Sequence, residues 1–295
     1  MDTVALFVDI DSFCQNLPDA AGQRPLLPSP RRMRRRPGRM YLSEVMTTIV
    51  LFHQSGYRCF KHFYLFHVCC HLRREFPKLV SYHRFVELTP RAMLALGIYL
   101  QSRRGRCTGI SFMDSTKLVV CHNLRIRSHR VMREVARRGK TSTGWFYGLK
   151  LHLIVNDMGD LLAFWITPGN VDDRYPVEAM TKDIFGLLFA DRGYVSQGLF
   201  EKLYQRAIKL ITRLKRNMRN KLMNLPEKLL LRKRAIIETI NDQLKNISQI
   251  EHTRHRSVMN YFVNLFGGLI AYSWKDKKPG LNISRTKLQH LPSIC

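Results

Sequence analysis

Two short stretches decide the reading of this chain: Ile110-Ser111-Phe112-Met113-Asp114-Ser115-Thr116 and Leu187-Leu188-Phe189-Ala190-Asp191-Arg192-Gly193-Tyr194. Each is an apolar run, suited to a buried strand, that is interrupted or ended by one aspartate. A carboxylate stripped of water costs several kcal/mol unless a cation or a base accompanies it. The second aspartate stands at the carboxyl end of its strand, where α/β sheets gather ligands, and Gly193 allows a sharp exit there. A salt-bridged strand end would explain either acid alone. Two such acids on strands that can be neighbours point to a shared site.

A third acid should come from a helix packed on those strands, and the segment from Asn224 to Asn246 reads as one long helix. Asn224 with Glu227 resembles a capping box, and Ile237, Ile240, Leu244 and Ile247 form an apolar stripe. Glu238 lies off that stripe, with Arg234 four residues before it and Lys245 seven after, so all three are expected on one face. Asp242 and Glu251 compete for the same role. Three carboxylates suit hard cations, Mg2+ or Mn2+, because substrate phosphates and waters complete the coordination. Two such ions would flank a scissile phosphate, with Arg234 and Lys245 holding phosphates beside them.

Composition supports a polyanionic partner. Lysine and arginine number 49 against 22 acids, a formal charge of +27, and the expected partner is double-stranded DNA. The basic residues form several clusters. Arg31, Arg32, Arg34, Arg35 and Arg36 lie in a proline-marked linker at 18–40 and read as an arm along the phosphate backbone. Arg125, Arg127, Arg130, Arg137 and Arg138 lie between Cys121 and Lys140, a stretch with Glu134 as its one acid. Arg213, Lys215 and Arg216 belong to a third run that ends at Arg234. Trp145 is a candidate for stacking on an unpaired base, although an aromatic beside a strand is more often core.

Seven cysteines at irregular spacing argue against a disulfide framework and for a reducing, cytoplasmic setting. Cys59, His62, His67, Cys69, Cys70 and His71 fit no structural zinc spacing. The acids Asp2, Asp9 and Asp11 around the first apolar run are wrong for a secretory signal, and no apolar stretch reaches the length a bilayer needs. No membrane and no small-molecule cofactor are expected. Asp172 and Asp173 read as turn formers.

Periodicity divides the chain. Residues 40–105 carry helical patterns, about 42–54, 59–75 and 90–102. After Thr108, strands are expected at Gly109 to Val120, Tyr147 to Val155 and Leu161 to Thr167, with Asn156, Asp157 and Gly159 turning the hairpin. Next follow a helix at about 176–184, a strand ending at Asp191, a helix at about 197–208 and a strand near Leu210 to Leu214. This pattern predicts an α/β fold: an RNase H-like core with a mixed five-stranded sheet and flanking helices, preceded by a small all-helical domain. The expected organisation is a helical DNA-binding region at 1–107, a catalytic domain at 108–275 and a tail at 276–295.

At these residues the chain resembles the DDE transposases of bacterial insertion sequences, most closely the insertion sequence family numbered 982. The likeness runs from Asp11-Ser12-Phe13-Cys14, through Gly144-Trp145-Phe146-Tyr147-Gly148 and the stretch around Asp191, to His252-Thr253-Arg254-His255-Arg256-Ser257. Related transposases carry a tyrosine, arginine, glutamate and lysine signature around the third acid. Arg234, Glu238 and Lys245 match its spacing, while Leu231 stands where tyrosine would be. The resemblance implies metal-dependent cleavage and strand transfer at the terminal inverted repeats of the encoding element. It also implies a nucleoid-associated protein, and paired DNA ends suggest at least a homodimer. The competing classes are a transposase-derived DNA-binding protein without catalysis, and a nuclease that cuts but never joins.

Overall fold

The computed structural model describes residues 2–17, 38–213, 223–251 and 255–281. Arg31, Arg32, Arg34, Arg35 and Arg36, together with Lys215 and Arg216, lie outside the described residues. The chain divides into two compact units, Met1–Arg103 with Leu244–Trp274, and Arg104–Gln243 with Lys275–Cys295.

The first unit is built of helices. Helix α1 (Thr3–Gln15) opens on Asp2, whose side chain accepts the Val4 amide at 2.9 Å. Helix α2 (Leu42–Gln54) begins after Tyr41, whose backbone amide donates to the Glu44 carboxylate at 2.6 Å, and Ser43 is buried inside the helix. Gly56, at φ +75°, follows its end. Helix α3 spans 60–71 and widens to π geometry over Phe63–Val68. Ser81 caps a further helix, α4 (Tyr82–Leu88), and α5 (Met93–Ser102) follows after a 3-10 turn. Phe52, Phe60, Phe63, Tyr64 and Phe85 make a contiguous aromatic cluster among these helices.

The second unit carries the sheet. Its elements are β1 (Ile110–Cys121), β2 (Arg137–Thr141), β3 (Gly144–Asn156), β4 (Leu161–Pro168), α6 (Val177–Met180), β5 (Gly186–Ala190), α7 (Gln197–Tyr204), β6 (Ile208–Thr212), α8 (Leu225–Arg232) and α9 (Ala235–Asn246), the last three residues of which fall in the first unit. The strand order is β2-β3-β1-β5-β6, with β4 also on β3. β1 runs antiparallel to β3 and parallel to β5, so the sheet is mixed. This α/β arrangement with flanking helices is consistent with an RNase H-like core. The β3–β4 turn is built by Asn156, whose side-chain oxygen accepts the amides of Met158 and Asp160 while Gly159 takes φ +81°.

Three departures from the sequence expectations matter. The sheet has six strands rather than five, because Arg137–Thr141 pairs with the start of β3 along an edge. Helix α6 is short, ending before Thr181, whose carbonyl accepts from the Arg206 guanidinium at 2.6 Å. The long helix expected from Leu225 is two helices, broken at Lys233 and Arg234, and the expected capping box does not form. Glu227 instead accepts Lys209 Nζ at 2.5 Å. The stripe of α9 is buried at Ile237, Ile240 and Leu244, whereas Ile247 falls beyond the helix and is exposed.

Under one face of the sheet Met113, Ile154, Leu162, Val177, Met180, Leu188, Ala190, Tyr194, Leu203 and Ile208 form a continuous core. Helix α10 (Val258–Ser273) belongs to the first unit and packs on α2 and α5. Gly267 permits the close approach to α2, since a Cβ there would stand 2.7 Å from the Ile49 side chain. The six cysteines among the described residues are free thiols. No helix among the described residues is long and apolar enough to cross a membrane.

Candidate active site

The parallel register of β1 and β5 determines where the two aspartates stand. Its last pair is Phe112 with Phe189, whose rings stack at 5.4 Å. Asp114 and Asp191 each lie two residues beyond that pair. Because side chains alternate along strands, both carboxylates project to the same side as the stacked phenylalanines. Asp191 also begins the tight turn Arg192–Tyr194, so its carboxylate emerges where the strand stops.

The break between α8 and α9 supplies the rest. Arg234, buried at the break, donates from Nη2 to Glu238 Oε1 at 2.6 Å, and lies 3.8 Å from Asp191 Oδ1; its Nη1 lies 3.5 Å from Asp114 Oδ1. One guanidinium therefore gathers all three predicted acids. One turn further along α9, Asn241 donates from Nδ2 to Asp114 Oδ2 at 3.2 Å. Its Oδ1 and the Nη1 of Arg234 are buried with no hydrogen-bond partner.

The charge balance is uneven. Three carboxylates face one guanidinium, and Asp114, the most enclosed of them, carries the consequence. Burial raises its pKa from 3.8 to about 6, with Arg234 opposing that rise and Asp191 and Glu238 adding to it. Among the described residues, no group of three or more Asp, Glu, His or Cys side chains stands arranged to hold a metal ion. Arg234 occupies the position between the acids. The donor set itself is all hard oxygen, and Asn241 Oδ1 and Arg234 Nη1 beside it have no hydrogen-bond partner.

The competing acids stand differently. Asp242 is exposed on α9, and Glu251 accepts Lys245 Nζ at 3.2 Å. Lys245 is thus already ion-paired. Arg125, Arg127, Arg130 and Arg138 are exposed, as is Arg213. Arg137 is tied down, its Nη1 donating to the carbonyls of Arg133, Glu134 and Ala136.

Several residues were missed by sequence reasoning. Lys150 is buried on β3, donating to Asp173 Oδ1 and to the Val171 carbonyl at 2.9 Å each. A lysine inside the apolar run Gly148–Val155 is the same signal that singled out Asp114. Asp173 is therefore more than a turn former, while Asp172 does shape the turn by accepting the Arg174 amide. Asn241 gave no signal, being one polar residue on a helix.

Residues 104–258, just over half of the chain, match a family described as a transposase DDE domain. That span contains Asp114, Asp191 and Glu238. No curated protein matches the chain.

Proposed function

This chain belongs to the family of transposase DDE domains, and from that membership we propose that it cleaves DNA strands at the terminal inverted repeats of its own element and transfers them to a target. Among transposases, the insertion sequence family numbered 982 is the proposed relative. The observation that carries the reading is the convergence of Asp114, Asp191 and Glu238 on the Arg234 guanidinium.

Asp114, Asp191 and Glu238 would hold divalent cations, Mg2+ or Mn2+. When bound, such ions activate the attacking oxygen and neutralise charge developing on the phosphate. The chain's own groups do the remaining work. Asn241 fixes the orientation of Asp114 through its amide on Oδ2, so that Oδ1, paired here with Arg234, would turn to a cation once Arg234 moves away. Arg234 partly neutralises the acids when no cation is bound and would move onto a DNA phosphate, where a planar guanidinium binds two oxygens at once. Exposed Arg125, Arg127, Arg130 and Arg213 grip phosphates further out. Assembly on two DNA ends requires at least a homodimer.

The test is cleavage of a duplex bearing the repeats that flank the reading frame, with Mn2+. Nicks and joined strand-transfer product are expected from the natural chain, and neither from Asp114→Ala, which still binds DNA. Equal nicking by Asp114→Ala would overturn the assignment. Nicks with no joined product would make the chain a nuclease, and binding without nicks would make it a repurposed DNA-binding protein.

A further inference from the structure

We propose that the Trp145 face of the β2–β3 edge is a stacking platform for an unpaired DNA base, separate from the carboxylate site. Trp145 is 52% exposed, although it sits within a strand whose later residues are buried. An indole left half in water at a sheet edge loses the burial that would otherwise favour it. Its surroundings are cationic. Arg138 stands with its guanidinium carbon 4.7 Å from the ring centroid, and Lys140, directly opposite in the register, lies 5.6 Å away. The Asn123 side chain anchors the Trp145 carbonyl at 2.9 Å, so the ring is carried on a fixed backbone.

A purely structural role would be a cation–π pair that steadies the hairpin. One cation would suffice for that. Here two cations share one strand face, neither forms an ion pair among the described residues, and Glu134 is the one acid between His122 and Lys150. Like charges placed side by side oppose folding of the edge and favour an incoming polyanion. The aromatic ring adds what a phosphate grip alone does not need: a flat apolar surface, which any base can cover.

The platform also has an address. In the antiparallel register Asp114 stands opposite Leu153, and Trp145 lies further back along the same strand with the same parity. Both side chains therefore project from one face of the sheet, separated along β3 by roughly 26 Å at 3.3 Å per residue. A strand cut at the acids can run along this face to the indole. The choice of DNA as partner rests on the reading given above; the platform itself does not depend on catalysis.

The experiment measures binding of a short single-stranded oligothymidine and of a blunt duplex of equal charge, in EDTA, by fluorescence anisotropy. Trp145→Ala should weaken the single strand about tenfold, the loss of one stacked base. Trp145→Phe should retain most of the affinity, and duplex binding should change less than about twofold in both. Circular dichroism confirms that both variants fold. Unchanged single-strand binding by Trp145→Ala overturns the proposal, as does an equal loss on duplex. Polyglutamate binding that also depends on Trp145 would overturn it in favour of an acidic protein partner. Because no metal is present, the platform and the cleavage reading can fail independently.

Discussion

The central sheet carries ionised groups on both faces, and the two sets are handled in opposite ways. On one face Asp114, Asp191 and Glu238 share a single arginine. On the other, Lys150 meets Asp173 one to one, and Nε2 of the neighbouring His152 shares a hydrogen bond with the Thr167 hydroxyl at 2.8 Å, its Nδ1 having no hydrogen-bond partner. Balanced charge holds the β3–β4 region in place. Surplus negative charge gathered at one place destabilises the fold locally. The difference is one of charge, surplus on one face and balanced on the other.

The largest effect should come from the unbalanced face. Glu238→Gln keeps a partner for Arg234 but removes a charge, and cleavage should fall on the order of a thousandfold, while circular dichroism and DNA binding stay unchanged. Full turnover by Glu238→Gln, with loss in Asp242→Asn, would move the third acid one turn along α9. On the balanced face the loss should be stability. Lys150→Met strands Asp173 and the Val171 carbonyl, at a cost of about 3 kcal/mol in urea unfolding, and added Mn2+ should not restore it. Recovery with Mn2+ would mean that both faces serve the metal, and the contrast would dissolve.

The two faces should also respond oppositely to pH. Burial raises Asp114 to about 6, so the folded state holds a proton that the unfolded chain releases near 3.8; this group's contribution to stability declines as pH rises from about 4 to 6. Burial lowers His152 to about 4, so the folded state resists a proton that the unfolded chain takes up near 6.5, and its contribution declines as pH falls through that window. His53 and His255 share the histidine behaviour and are likewise lowered to about 4 by burial. Asp114→Asn in metal-free protein should therefore gain stability relative to the natural chain as pH rises, reaching about 3 kcal/mol at pH 7. A constant difference from pH 4 to 7 would show that Asp114 is not the strained group.

Much of this was legible in the sequence because acids break apolar runs conspicuously. Asp114 and Asp191 stood out for that reason, and the β1–β5 register then brought them together. The same logic applied to Lys150 would have exposed the balanced face, but its partner Asp173 lies in a loop, and nothing local links the two. β2 escaped because Arg137-Arg138-Gly139-Lys140-Thr141 has charge where strands usually carry β-branched or aromatic residues; its place comes from pairing with β3. The break at Arg234 escaped because the helical apolar spacing continues across it. What ends α8 is a tertiary event, the guanidinium turning in toward three carboxylates, and no cap or proline announces it.

The smallest contrast compares one neutral hydrogen bond on each face. Thr167→Val removes the partner of His152, leaving a buried imidazole nitrogen unsatisfied, and should cost about 1 to 2 kcal/mol at pH 7, where His152 is neutral. Asn241→Ala removes the amide that supports Asp114, and the effect should depend on protonation. Below pH 5 the acid is neutral and the loss should stay under about 0.5 kcal/mol; above pH 7 the carboxylate loses a charge-assisted donor, and the loss should approach about 1 kcal/mol. Urea unfolding of both variants at pH 5 and pH 7.5 measures this. A pH-independent loss in Asn241→Ala would mean that the amide serves packing rather than the carboxylate, and would place Asn241 with the stabilising groups instead of the reactive ones.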